Sequence, residues 1–182
     1  MFMKYFTVLL LSLAILSSTN AQSYKPKDDK QAVSFVIKNF GLTVNGSFSG
    51  LLGNIQFNPA NLSAASFKVT VDAATVNTGN SLRDGHLKKD DYFNVNTFKK
   101  ISIVSSAITN GNIQGTYLFR GVVSIKGINQ SISFPFTAIK TLEDYQFKGS
   151  FKLNRRDFKV GGNSFVLSDN LIVNLAISTI KM

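Results

Sequence analysis

The 182-residue chain has no cysteine, no tryptophan, three prolines and a single histidine, His86. Without cysteine it can form no disulfide, no thiolate nucleophile and no thiolate metal ligand. The lipid anchor of bacterial lipoproteins is excluded too, because that anchor is attached to a cysteine at the cleavage site of the leader. One histidine also excludes a metal centre built from several imidazoles. The groups that remain for chemistry are therefore hydroxyls, carboxylates, cationic side chains and one imidazole.

Long apolar runs are scarce, and the one that stands out extends from Tyr5 to Leu16, after Lys4. It gives way to the small and polar residues 17–21, which is the layout of a signal peptide. We expect cleavage between Ala21 and Gln22 and export to the periplasm or the medium. The alternative is a membrane anchor, which is disfavoured because a spanning helix usually needs about 20 apolar residues.

Acidic residues are also few, with 10 aspartates and glutamates against 20 lysines and arginines. Because only Lys4 precedes the predicted cleavage site, the mature chain carries a formal charge of +9. Such an excess favours anionic partners. Nucleic-acid binders usually concentrate their cations on one face or helix, whereas these lysines are spread along the chain. We therefore expect no nucleic acid as a partner, and an anionic membrane surface or a phosphorylated ligand fits an exported protein better.

The mature chain is dominated by alternating apolar and polar residues. Residues 22–30 are polar and predict a flexible lead-in, and residues 31–182 predict a single domain of at least eight strands. Period-two alternation with turns at regular spacing is typical of an antiparallel sandwich or a closed barrel. The alternating apolar positions are Val33, Phe35 and Ile37; Leu42, Val44 and Phe48; Ile55 and Phe57; Phe67, Val69 and Val71; Ile101 and Ile103; Tyr117 and Phe119; Val123 and Ile125; Ile132, Phe134 and Phe136; Tyr145, Phe147, Phe151 and Leu153; and Leu171, Val173, Leu175 and Ile177.

One charged segment interrupts this alternation and predicts a short helix over Ser81 to Asp90. Asn80 or Ser81 can cap its N-terminus, and Asp84 in the first turn favours the helix dipole. On such a helix His86 would lie near Arg83 and Asp90. This stripe could bind an anionic headgroup or act as an acid-base pair, or it could tie the helix to the rim of the barrel.

The chain has no sequence motif of an enzyme. The nucleophile elbow, the zinc-binding histidine pair, the P-loop and the dinucleotide fingerprint are all missing. We therefore predict no catalytic residue, no metal, no cofactor and no enzymatic activity. Adjacent arginines at Arg155 and Arg156 could clamp a phosphate, or they could pair with an acid such as Asp157 and brace the loop to Gly161 and Gly162.

The 16 phenylalanines leave a second question open. A small eight-stranded barrel is either filled by its side chains or encloses one small ligand. Periodicity shows that a face is apolar but not whether the space behind it is filled.

Ordered motifs run along nearly the whole mature chain, and the two most specific are Arg83-Asp84-x-His86-Leu87 and, near the end, Asn154-Arg155-x-Asp157-Phe158. Together these motifs resemble the YceI-like family. The chain departs from the usual pattern at Asn94, at Phe98-Lys99 and at Lys159, and the two lysines add positive charge near the presumed mouth. The other matching stretches are 34–41, Gly46-Ser47-Phe48-Ser49-Gly50, Gly53, 55–57, 75–79, Lys88, 90–93, 127–128, Phe134-Pro135-Phe136, 160–161 and Leu167-Ser168-Asp169.

The resemblance implies an all-β, antiparallel, eight-stranded lipocalin-like barrel with the short helical insertion around residues 81–90. It also implies an exported, non-catalytic protein that holds an isoprenoid-type lipid or similar amphiphile and that forms a homodimer. The alternative is a stress-linked structural or interaction protein with a filled barrel and a basic working surface. For the carrier, we expect Arg83, Asp84, His86, Arg155 and Arg156 at the headgroup, and Phe35, Phe48, Phe57, Phe67 and Phe151 along the tail.

Overall fold

The computed structural model describes residues 22–182, so the predicted signal peptide lies outside the described residues. These residues form ten antiparallel strands and one short α-helix, α1 (Ser81–Leu87). The strands are β1 (Gln22–Pro26), β2 (Val33–Asn39), β3 (Leu42–Phe48), β4 (Leu52–Phe57), β5 (Ser66–Asp72), β6 (Lys100–Asn110), β7 (Thr116–Ile125), β8 (Ile128–Thr141), β9 (Asp144–Asn154) and β10 (Leu167–Lys181). Single 3-10 turns occupy Leu62–Ala64, Ala73–Thr75 and Arg155–Phe158. No helix within residues 22–182 is long and apolar enough to cross a membrane.

The ten strands close into an eight-stranded barrel because two of the eight strand positions are each occupied by two short strands. β1 and β2 both pair with β10, one at each end of it, so they form the first interrupted position. β3 pairs with β2, and β4 pairs with β1 and β5, so β3 and β4 form the second. The remaining neighbours pair in the order β5, β6, β7, β8, β9 and β10. The predicted eight-stranded antiparallel barrel is confirmed.

Residues 22–30 are not a flexible lead-in, contrary to the prediction from their polarity. Gln22–Pro26 form β1, and Tyr24 within it is fully buried. The Asp28 carboxylate accepts hydrogen bonds of 2.9 Å from the backbone N–H groups of Gly50 and Leu51. These bonds connect the break between β1 and β2 with the break between β3 and β4. The segment is ordered because its backbone N–H and C=O groups pair with neighbouring strands, which they can do in a polar sequence as well as in an apolar one.

Helix α1 ends at Leu87, three residues earlier than the predicted Asp90. Its start is as expected, because the Asn80 side chain accepts a hydrogen bond from the Arg83 N–H at 3.0 Å. At its end, the Leu87 carbonyl accepts from the Phe93 N–H at 3.0 Å. The chain turns back there and places Phe93 against the core. Burial of this aromatic ring competes with continuation of a weak helix.

The barrel interior falls into two halves that differ in packing. The half near the β8–β9 turn, which we call the packed half, is filled by aromatic rings. Phe57 is its centre, is fully buried and lies 5.1–6.4 Å from five other rings, measured between centroids. Those five rings are Phe67, Tyr117, Phe136, Tyr145 and Phe147. Edge-to-face contacts dominate, which is the arrangement that ring quadrupoles favour.

Candidate functional site

The other half, which we call the cavity half, lies near the β2–β3 and β7–β8 turns, and the sheet is incomplete there. β3 forms a ladder with β2 but only one bridge, Ser47 to Asn77, toward the chain that follows β5. Between β3 and β6 the wall is therefore built from the segment 73–98, which includes α1, and not from a strand. Such a wall is held by side-chain contacts more than by a continuous backbone ladder.

An apolar cavity of about 140 Å³ lies in this half. Phe35, Phe48 and Phe151, three of the five residues expected along a ligand tail, line it. From the segment after β5 come Leu87, Tyr92 and Phe93, and the Phe93 ring meets the Phe48 ring edge to face at 5.4 Å. The other lining residues are Val33, Ser34, Ile37, Asn39, Val44, Val71, Thr78, Arg83, Ile101, Ile103, Val123, Ile125, Leu153, Arg155, Phe158, Val160, Leu167, Leu171 and Val173.

A glycine decides where the Phe35 ring lies in this cavity. Phe35 on β2 and Gly46 on β3 are paired across the strands. A Cβ atom at Gly46 would lie 2.2 Å from Cζ of Phe35, so the ring lies flat over the glycine. Any larger residue at position 46 would push the ring into the cavity.

Phe57 and Phe67 do not line the cavity, although both alternate inward as predicted. They belong to the packed half, where their rings contact each other at 6.2 Å. Period-two alternation gives the side of the sheet but not the height along the barrel axis. That height follows from strand register, which the sequence pattern does not fix.

Arg83 is the predicted headgroup residue that the structure places at the cavity. Its Nε donates to the Thr78 hydroxyl at 2.7 Å, and its Nη2 donates to the Thr78 carbonyl at 2.9 Å. The Thr78 hydroxyl donates in turn to Asp84 Oδ1 at 2.6 Å. The predicted residue Asp84 therefore acts here on Thr78, and this chain of bonds fixes the direction of the guanidinium.

Arg155 also borders the cavity, but its donors are used inside the protein. The side chain is only 4% exposed. Its five N–H donors meet the carbonyls of two residues in the loop after β9 and of two at the start of β10, and Asp169 Oδ1, the last at 2.7 Å. The arrangement matches the loop-bracing interpretation, with Asp169 and not Asp157 as the acid. The four carbonyls belong to Val160, Gly162, Leu167 and Ser168.

His86 and Arg156 lie on the outside. The exposed His86 ring packs edge to face on Tyr92 at 5.1 Å, and Tyr92 lines the cavity. Because α1 ends at Leu87, Asp90 is not on the helix and the predicted stripe does not form. Arg156 is exposed and bonds the side-chain oxygen of Asn163. Neither residue lines the cavity.

The sequence prediction missed Leu87, Tyr92 and Phe93 as lining residues. Their segment lacks alternation, so nothing assigned it to the interior, although the adjacent aromatic pair was visible. The surface of the site is almost wholly apolar, and the polar side chains that border it are Ser34, Asn39, Thr78, Arg83, Tyr92 and Arg155. Within residues 22–182 no cluster of histidine and acidic side chains could hold a metal ion.

Comparison with known proteins agrees with this architecture. A UPF0312 protein of Shewanella denitrificans is 25% identical, with 96% of each chain covered. A UPF0312 protein of Pseudomonas aeruginosa is 27% identical, with 88% of each chain covered.

Solved structures show the same fold. BcnA of Burkholderia cenocepacia superposes with a TM-score of 0.76 at 23% identity, covering 87% of this chain and 96% of BcnA. A polyisoprenoid binding domain from Saccharophagus degradans, implicated in plant cell wall breakdown, superposes with a TM-score of 0.67 at 15% identity, covering 89% and 99%. The family description YceI-like domain matches residues 24–179. With the barrel, the ordered motifs and this match over most of its length, the chain belongs to the YceI-like family.

Proposed function

We propose that this protein is an exported, non-catalytic carrier that holds the apolar part of an isoprenoid-type amphiphile in the cavity half of its barrel. The observation that carries the proposal is the 140 Å³ cavity, whose lining is almost wholly apolar. A cavity of similar size, about 150 Å³, lined by aliphatic and aromatic side chains stays dry and binds small hydrocarbons in another protein. The polyisoprenoid binding domain of Saccharophagus degradans, with the same fold, supports the same ligand class.

Arg83 is the group that we assign to the polar head. Thr78 engages Nε and one N–H of Nη2, which leaves Nη1 and the second N–H of Nη2 for a ligand. A guanidinium held in this way suits a phosphate or a carbonyl oxygen. Apolar burial supplies most of the affinity, at roughly 25 cal/mol per Å², and Arg83 sets which end of the ligand faces out.

The mouth of the cavity also carries exposed apolar residues that suit contact with a membrane. Phe40, at the tip of the β2–β3 turn, is 72% exposed and has a φ of 51°, which is unfavourable for an aromatic residue. Its N–H donates to the Val166 carbonyl at 2.8 Å, beside the fully exposed Phe165. Exposed apolar side chains of this kind mark interaction surfaces, and Lys38 beside them favours anionic lipid.

Mass spectrometry of natively purified protein tests the carrier proposal. We expect a stoichiometric amphiphile, and we expect Arg83→Gln to reduce retention of phosphorylated ligands about tenfold or more, as loss of a charged hydrogen bond predicts. Lys152→Gln, an exposed charge change on β9, is the control. Repeated preparations without any bound amphiphile would contradict the proposal and favour an interaction protein with a basic surface. The homodimer stays a prediction, which light scattering would test.

A further inference from the structure

We propose that this barrel buries only a short length of an apolar chain, whatever the full length of that chain, because three phenylalanines form a floor that ends the cavity halfway down the barrel. The inference rests on the proposed carrier function and narrows its ligand. The floor consists of Phe119, Phe134 and Phe151, on the neighbouring strands β7, β8 and β9. A tail that enters at Arg83 meets these rings before it reaches the packed half.

The three rings form a continuous stack along the barrel wall, on the inward face of three adjacent strands. Phe119 and Phe134 are 4.8 Å apart between centroids and stacked at 21°, and Phe134 and Phe151 are 4.7 Å apart at 22°. Only Phe151 touches the cavity. The other two are buried, with exposures of 3% and 4%. The stack therefore closes the bottom of the cavity on its β7–β9 side.

Glycines hold two of these rings in place. A Cβ atom at Gly121 would lie 2.7 Å from the Phe119 ring, and one at Gly149 would lie 3.0 Å from the Phe134 ring. Each ring thus lies directly on the backbone. Toward the packed half, the ring centroid of Phe67 lies 6.2 Å from that of Phe119 and 5.5 Å from that of Phe136. Phe119 and Phe134 thus have backbone on one side and a stacked ring beside them, which restricts their movement.

The size of the cavity sets the length of the chain. At about 140 Å³ it compares with the cavity of about 150 Å³ that takes a benzene molecule. A prenyl unit is close to benzene in carbon number, so one unit fits inside and a second reaches the mouth. Units beyond the second stay in water and add no apolar burial.

Isothermal titration calorimetry with prenols of increasing length tests this limit, on full-length mature protein refolded from denaturant to remove copurified lipid. We expect affinity to rise from dimethylallyl alcohol to geraniol. Farnesol and geranylgeraniol should then bind within about threefold of geraniol, whereas burial of a further whole unit would tighten binding about a hundredfold or more.

Two floor variants and one matched control complete the test. Phe134→Ala, and Phe134→Leu if the alanine variant does not fold, should lower the floor so that farnesol binds at least tenfold tighter than geraniol. The control is Phe57→Leu in the packed half, which also replaces a phenylalanine ring by leucine. Because Phe57 does not line the cavity, this variant should lower stability and leave the length dependence unchanged.

The outcomes separate the two proposals. A hundredfold gain from geraniol to farnesol in the unmodified protein would overturn the length limit while the carrier function stood. An unchanged length dependence in both Phe134 variants would overturn the role of the floor. Failure of every prenol to bind would overturn the carrier function and the length limit with it.

Discussion

Filling the cavity should stabilise the ligand-free protein and abolish binding, and Val71 is the place to test this. Val71 on β5 lines the cavity, whereas Val69, on the same face of the same strand, does not. An unfilled cavity lowers stability by about 24 cal/mol per Å³. The 140 Å³ observed thus corresponds to about 3 kcal/mol. A phenylalanine at position 71 fills part of that volume, so we expect a gain on the order of 1 kcal/mol.

The same substitution at Val69 gives the control with the opposite sign. Val69 is 7% exposed, belongs to the hydrophobic core and does not line the cavity, and overpacking of such a site costs about 1–3 kcal/mol. Urea unfolding of the ligand-free variants measures the difference. With an m-value of about 2 kcal/mol/M, Val71→Phe should raise the midpoint by about 0.5 M and Val69→Phe should lower it. If both variants lose stability equally, the space behind Val71 is not available and the cavity interpretation is wrong.

Three further predictions concern the hydrogen bonds of Arg155, the hydroxyl of Tyr145 and the exposed ring of Phe165. Arg155→Met should cost about 3 kcal/mol in urea unfolding because it leaves buried carbonyls unpaired, whereas Arg156→Met should stay within about 0.5 kcal/mol; equal losses would refute the bracing role. Burial raises the pKa of the Tyr145 hydroxyl above its ordinary value of 10.0, so the unfolded chain loses this proton first and stability falls as pH rises above about 10. Tyr145→Phe should reduce that alkaline loss of stability. If the free energy of unfolding of this variant has the same pH dependence as that of the unmodified protein, burial of the Tyr145 hydroxyl is not its cause. Phe165→Ser should weaken flotation with anionic vesicles about tenfold. The control is Leu142→Ser, because Leu142 is 96% exposed at the other end of the barrel, and this variant should leave flotation unchanged. Equal effects of the two variants would argue against membrane contact through the mouth of the cavity.

Much of the fold was predictable because alternation is local. The inward faces of β5, β8 and β9 follow directly from Phe67, Phe134 and Phe147 and their neighbours two residues away, and all three are buried. The N-terminal cap at Asn80 was predictable for the same reason, since capping is decided within one helical turn. What alternation could not give was the end of α1, because burial of Phe93 decides it.

The candidate site was only partly predictable, and Arg83 and Arg155 show why. Both are arginines in the motifs of the YceI-like family, and the sequence assigns both to a headgroup. The structure gives Arg155 five partners in the loop after β9 and at the start of β10, and it leaves Arg83 at the cavity with donors to spare. Partners such as Asp169 come from another part of the chain, so local sequence cannot reveal which arginine is already satisfied.

By itself the sequence determined the alternating faces, the lack of thiol chemistry and the family, since each follows from residue types and short spacings. Only the tertiary structure decided that the barrel is half filled and half open. Phe57 and Phe35 carry the same inward signal, yet one lies among five rings and the other over Gly46 beside a cavity. The difference comes from strand register and from which side chains meet across the barrel, and both are set by contacts between residues distant in the chain.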